Sequence, residues 1–135
     1  MREWLVDTNV ILDIIGADDE FGGRSRDALA EAAETGALVV NTVVFAEVGS
    51  VVDTLEELND LIPESVFRRD TIPWEAAFLA GRAFHAYRRS GGERDRMLPD
   101  FLIGAHAAVG GFGLITRDKG QARHFKVEIL DPADR

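Results

Sequence analysis

The sequence predicts an α/β fold: a three-layer α/β/α sandwich around a central parallel sheet. Two observations predict it. Short apolar runs of strand length alternate with helical patterns along the whole chain. The apolar runs are nearly continuous rather than alternating, as in strands buried on both faces. The length agrees with one domain spanning residues 1–135, since 135 residues and 14.8 kDa suffice for one sizeable core. No internal repeat, Pro- or Ser-rich linker or low-complexity tract divides the chain.

Trp4–Val6 reads as the first strand and Asn9–Ile15 as a short helix. Gly16–Gly23 (GADDEFGG) reads as a loop. Ser25 is placed to cap a helix over Arg26–Thr35, with Gly36 at its stop. Leu38–Val40 is the second strand, followed by an apolar helix from Val43 to Val51. Leu55, Leu58 and Leu61 or Ile62 recur at helical spacing until Pro63. Arg68–Ile72 is a weak third strand. Trp74, Ala77, Phe78, Gly81 and Phe84 mark the apolar face of a helix running to Arg89, which Gly91-Gly92 breaks. Pro99 sits at a helix start, where its missing N–H costs nothing. Asp100–Val109 is apolar nearly all round and reads as a buried helix. Leu114–Thr116 is a strand, Gln121–Phe125 a helical turn and Val127–Leu130 the last strand.

Composition narrows the function. A hydrophobic content of 46% excludes disordered classes. No apolar run approaches the ~20 residues of a membrane span, and the first twenty residues lack a signal peptide's basic start. Cysteine is absent, which excludes thiolate chemistry and fits a reducing cytoplasm. The net charge of −9 argues against a broad polyanion-binding surface. The charge is uneven, however. Residues 1–67 hold 15 acids and 3 bases; residues 68–135 hold 9 acids and 12 bases.

Most of the acids read as solvated charges on loops and helix faces. Four stand where charge is costly. Asp7 ends the first strand, and its ordinary reading is a cap for the next helix. Glu47 lies in the apolar run Val43–Val48, where the ordinary reading is an ion pair with a distant Arg. Asp100 opens the most apolar helix, where the helix dipole alone accounts for an acid. Asp118 follows the strand Leu114–Thr116 and forms a capping-box pattern with Gln121. Taken together, a parallel sheet brings all four to one carboxyl edge. Four such carboxylates repel one another unless a cation intervenes, and oxygen donors alone favour Mg²⁺ or Mn²⁺. Asn9 and Thr116 stand beside them, as supports for a carboxylate or as ordinary turn and strand-end residues.

These residues carry a resemblance. Leu5–Asp13 (LVDTNVILD), Thr42–Val48 (TVVFAEV) and Leu98–Asp118 (LPDFLIGAHAAVGGFGLITRD) resemble, in order, the motifs of PIN-domain ribonucleases. The short chain looks most like the VapC-type toxins of type II toxin–antitoxin pairs. The resemblance implies a PIN α/β/α sandwich with strand order 3-2-1-4-5. It implies that Asp7, Glu47, Asp100 and Asp118 are the catalytic, metal-binding quartet. The implied activity is a Mg²⁺- or Mn²⁺-dependent endoribonuclease, in which metal-activated water attacks phosphorus in line and leaves 5′-phosphate and 3′-hydroxyl ends. The implied partners are RNA, a cognate antitoxin and a second copy in a homodimer, without a membrane. Candidate RNA contacts are Arg88, Arg89, Arg94, Arg96, Arg117, Lys119 and Arg123; a solvated loop is the ordinary reading for Arg94 and Arg96.

His85, His106 and His124 lack metal-ligand spacing and read as structural, and the aromatic residues read mostly as core. Two other functions share parts of this pattern. A housekeeping PIN nuclease of RNA processing lacks the antitoxin. A receiver-type phosphorylated signalling domain requires paired acids after its first strand and a Lys after its last core strand. This chain has Asp-Thr-Asn and Arg117 there. A non-catalytic RNA-binding domain would not need the quartet.

Overall fold

The computed structural model describes residues 2–92 and 96–134. Five parallel strands form one sheet: β1 (Arg2–Val6), β2 (Gly36–Val40), β3 (Phe67–Arg69), β4 (Gly113–Ile115) and β5 (Ile129–Leu130). Their order is β3-β2-β1-β4-β5, as expected for a PIN-like sandwich. Helices α1 (Thr8–Ile15), α2 (Gly22–Thr35), α3 (Thr42–Gly49), α4 (Leu55–Leu61), α5 (Trp74–Arg89), α6 (Leu98–Gly110) and α7 (Gln121–His124) flank the sheet. A 3-10 turn at Pro132–Asp134 follows β5. No helix among the described residues is long and apolar enough to cross a membrane.

The central strand β1 is buried from Trp4 to Val6 and pairs with β2 on one side and β4 on the other. Val6 stands opposite Ile115, so Asp7 and Thr116 leave the sheet side by side. The main core fills both faces of β1, β2 and β4. A second cluster joins α5 to α6 through Ala76, Ala80, Phe101, Ala105 and Phe125. Helix α6 is buried from Phe101 through Ala107 except for Leu102, as its all-round apolar sequence predicts. Gly111, at φ 70°, ends it in the left-handed conformation that favours glycine.

Several sequence expectations need correction. Helix α2 starts at Gly22, so the expected loop is shorter and Ser25 lies inside the helix. Its hydroxyl donates to Asp13 Oδ2 at 2.9 Å rather than capping. The third strand is Phe67–Arg69, not Arg68–Ile72, and the last is only Ile129–Leu130. Helix α3 stops at Gly49, short of Val51. On α5 the buried stripe is Ala76 and Ala80, while Trp74 and Phe78 are 89% and 72% exposed. Small side chains admit α6 closely, which turns the two large aromatics to solvent. The Asp118–Gln121 capping box does not form: Gln121 is fully buried and its amide donates to the Asp100 carbonyl at 2.8 Å.

Candidate metal centre

Asp7 is the junction of β1 and α1. Its extended backbone makes it the N-cap of α1, and its Oδ1 accepts the Thr8 N–H at 2.7 Å. Its own N–H donates to the Ile115 carbonyl at 2.9 Å, tying the junction to β4. The cap reading is therefore correct, but it uses one oxygen only. Oδ2 accepts from the Thr116 hydroxyl at 2.7 Å and from Asn9 Nδ2 at 3.3 Å.

Thr116 is fully buried and acts as a hub. Its Oγ1 also accepts from Asn9 Nδ2 at 3.2 Å and from the Asp118 N–H at 2.9 Å. Asn9 Oδ1 accepts the Arg117 N–H at 3.2 Å. Asn9 and Thr116 thus orient Asp7 and the chain leading to Asp118.

Glu47 is half-buried on α3, and its partner is not an Arg. Thr8 Oγ1 donates to Glu47 Oε1 at 2.7 Å, which places Glu47 across one residue from Asp7. Asp100 lies in the first turn of α6, and its Oδ2 accepts the Met97 N–H at 2.9 Å. Asp118 Oδ1 accepts the Gly120 N–H at 2.9 Å, and Oδ2 pairs with Arg96 Nη1.

Asp7 feels two of the other acids. The Asp7 carboxyl is pushed up to about 6. Burial is the main cause, and the charges of Asp100 and Asp118 add to it. The bonds from Thr116 and Thr8 oppose the rise without cancelling it. Yet the four side chains do not form a closed cage: among the described residues no three Asp, Glu or His side chains are arranged as a ready cation site. Asp118 faces Arg96, and Asp100 caps its own helix. The donor chemistry nonetheless fits a hard divalent cation: the four candidates are carboxylates, with no thiolate or imidazole among them.

A cavity of about 530 Å³ opens beside the acids, lined by Asp100, Asp118, Asn9 and the cations Arg96, Arg117, Lys119 and Arg123. Three of these cations are already engaged. Arg96 holds Asp118. Arg117 forks onto the buried Asp13, with Nε to Oδ2 at 2.7 Å and Nη2 to Oδ1 at 2.8 Å, and stacks on Phe21 at 4.0 Å. Lys119 bonds Asp131 at 2.9 Å. Arg123 is exposed. Arg88 and Arg89 close the last turn of α5, and Arg94 lies outside the described residues.

Sequence reasoning missed Thr8 and Asp13. The signal for Asp13 was available: like Glu47, it is an acid within an apolar helix. His106 is fully buried, as a structural histidine should be. Asn41 Oδ1 accepts the Val44 N–H, so its Nδ2 faces His106 Nδ1 at 3.1 Å. That amide only donates, so Nδ1 accepts and Nε2–H bonds Asp70 Oδ2 at 2.8 Å. The ring thereby ties α6, which carries Asp100, to Asn41 at the start of α3, which carries Glu47.

The fold has counterparts among known proteins. A family model described as PIN domain matches residues 4–126. No curated protein matches the chain. Among solved structures, the chain is similar to one from Rickettsia felis VapBC2 bound to a promoter DNA fragment. The TM-score is 0.72 at 18% identity, covering 96% of this chain and 98% of that one. VapBC-1 of nontypeable Haemophilus influenzae gives 0.73 at 15% identity, with 96% and 98% covered. VapBC-5 of Mycobacterium tuberculosis, a member of the VapBC family of toxin–antitoxin systems, gives 0.63 at 21%, with 97% and 99% covered. Likeness at these identities concerns the fold.

Proposed function

Because the chain belongs to the PIN domain family, we propose that it is a metal-dependent endoribonuclease of the VapC type, the toxic half of a type II toxin–antitoxin pair. One observation carries the nuclease reading. Asp7 is buried at the sheet's carboxyl edge, and its carboxyl is raised by that burial and, to a lesser degree, by the charges of Asp100 and Asp118. Acids gathered beside a buried carboxyl are an arrangement for holding cations rather than for stability.

In this reading Asp7, Glu47, Asp100 and Asp118 hold Mg²⁺ or Mn²⁺. The cation supplies polarisation of the phosphate and a water of lowered pKa. Thr116, Asn9 and the Thr8 N–H fix the two oxygens of Asp7, so the carboxylate needs little reorganisation to act as a ligand. Thr8 does the same for Glu47. Arg123 and the cations beside it line the cavity on the side where a phosphodiester would approach. Attack by water in line, with the RNA 2′-hydroxyl as a bystander, yields 5′-phosphate and 3′-hydroxyl ends.

The toxin reading is supported by solved neighbours that come from toxin–antitoxin complexes and match this chain along nearly its whole length. The cognate antitoxin would cover the acids with a basic segment, which suits a chain of net charge −9. The test is a map of new 5′-phosphate RNA ends after induction of wild type and Asp7→Asn in cells. New ends are expected with wild type alone. Identical maps from the two proteins would overturn the nuclease assignment. Growth arrest relieved by co-expression of a small neighbouring frame, where one adjoins the gene, identifies the toxin; a nuclease that needs no such partner is a processing enzyme.

A further inference from the structure

Among the described residues, Arg96 is the one cation that pairs with an acid of the candidate metal centre, and it does so in an uneconomical way. Its side chain is only 11% exposed, against 26% for Asp118. Of its guanidinium, Nη1 alone meets Asp118 Oδ2, while Nε and Nη2 are buried with no hydrogen-bond partner. The plane lies over the Phe101 ring at 5.1 Å. Gly120 supplies the room: a Cβ there would stand 2.6 Å from Arg96 Nη1.

The same molecule shows what a structural Arg–Asp pair looks like. Arg117 presents both Nε and Nη2 to the two oxygens of Asp13, and Ser25 adds a third bond. That fork satisfies the charge it buries. Arg96 instead leaves two buried donors unsatisfied, each at the cost of its lost hydration. A contact so poorly matched is easily exchanged. It also explains why the acids form no ready cage, since Asp118 spends one oxygen on Arg96 and the other on the Gly120 N–H.

We propose that Arg96 is a built-in counter-cation for Asp118, which a divalent cation must displace to complete the acid site. The inference rests on the reading of the quartet as a metal centre. The unloaded chain keeps its fourth acid neutralised by its own arginine, and metal affinity is lowered by the fraction of Asp118 so held.

The experiment titrates Mn²⁺ calorimetrically into the metal-stripped full chain as wild type, Arg96→Met, Arg96→Gln, Arg123→Met and Asp118→Asn. Arg96→Met keeps an apolar stem against Phe101, and Arg96→Gln serves if the first variant does not fold. Loss of Arg96 is expected to tighten Mn²⁺ binding about tenfold or more, within the usual range for two coupled ligands. Arg123→Met removes a charge from the same cavity without touching Asp118, and should change affinity by less than about twofold, as a screened, exposed charge does. In wild type the Arg96 ¹⁵Nε resonance should shift on saturation with Mg²⁺. Unchanged or weaker Mn²⁺ binding in folded Arg96 variants overturns the proposal. So does an equal gain in Arg123→Met, which would mark a general charge effect. Failure of the metal-centre reading itself looks different: wild type and Arg96→Met would both bind no Mn²⁺, or Asp118→Asn would bind it as wild type does.

Discussion

Replacing Asp7 by Asn should stabilise the metal-free protein at neutral pH and destabilise it in acid. The Asp7 carboxyl is raised from 3.8 to about 6. Two units at about 1.4 kcal/mol each mean that keeping Asp7 ionised in the fold costs about 3 kcal/mol. The sign follows from proton binding. Between pH 4 and 6 the folded chain binds this proton more tightly than the unfolded chain does. Asp7's contribution is therefore fully favourable below pH 4 and is lost as pH rises through 6. Asparagine removes that loss but not without cost. Its carbonyl can keep the Thr8 cap, while its amide faces the Thr116 hydroxyl and Asn9 Nδ2, two groups that now donate to Oδ2. One spoiled hydrogen bond is worth about 1 kcal/mol. The net expectation is a gain of about 2 kcal/mol at pH 7 and a loss approaching about 1 kcal/mol near pH 3, with the curves crossing at about pH 4.5. Urea unfolding with chelator present, at intervals between about pH 3 and 7.5, measures it. A variant less stable than wild type throughout, with no crossing, would refute the claim that burial and neighbouring acids dominate at Asp7.

Two further variants test the surroundings of the acids. Arg117→Ala strands the charge of Asp13, which is 6% exposed. The expected loss is about 2–3 kcal/mol by urea unfolding, below the 3–5 of a fully buried pair because Arg117 is 26% exposed. Asp13→Leu combined with Arg117→Met should recover most of it, and a larger loss in the double variant would contradict the pairing. Gly104→Ala should cost about 1–3 kcal/mol despite alanine's better helix propensity. Its Cβ would lie within van der Waals radii of Gln121 Oε1 and 2.5 Å from the Phe125 ring. A neutral or stabilising effect would show that α6 and α7 are packed more loosely than described.

The sequence exposes the sheet better than the helix contacts, for a physical reason. Strands such as Leu38–Val40 are continuous apolar runs, and only burial on both faces accommodates them. Parallel connection then fixes which ends meet, so Asp7, Glu47, Asp100 and Asp118 could be gathered at one edge from order alone. What failed depended on partners distant in sequence. Ser25 has the chemistry of a helix cap, but Asp13 took its hydroxyl. Gln121 fits a capping box with Asp118, but the Asp100 carbonyl, 21 residues away, took its amide. On α5, hydrophobic size singled out Trp74 and Phe78, whereas close approach of α6 selects alanine. Local preference proposes such contacts; tertiary competition decides them.

The same competition changes how the chain's charge should be understood. The basic second half looks, on paper, like a surface for a polyanion. In the fold several of its twelve cations meet acids: Arg117 pairs with Asp13, Lys119 with Asp131, Arg68 with Glu3 and Asp70, and Arg96 with Asp118. Three of these pairs fix loops and strand ends near the carboxyl edge. That part of the basic charge acts within the protein rather than as an open field around the molecule. Under the proposed function, the grip on a phosphodiester is short-ranged, made where Arg123 lines one cavity with Asp100 and Asp118. For a protein of net charge −9 that is the consistent solution, because recognition confined to a few contacts beside a cation does not require a positive exterior.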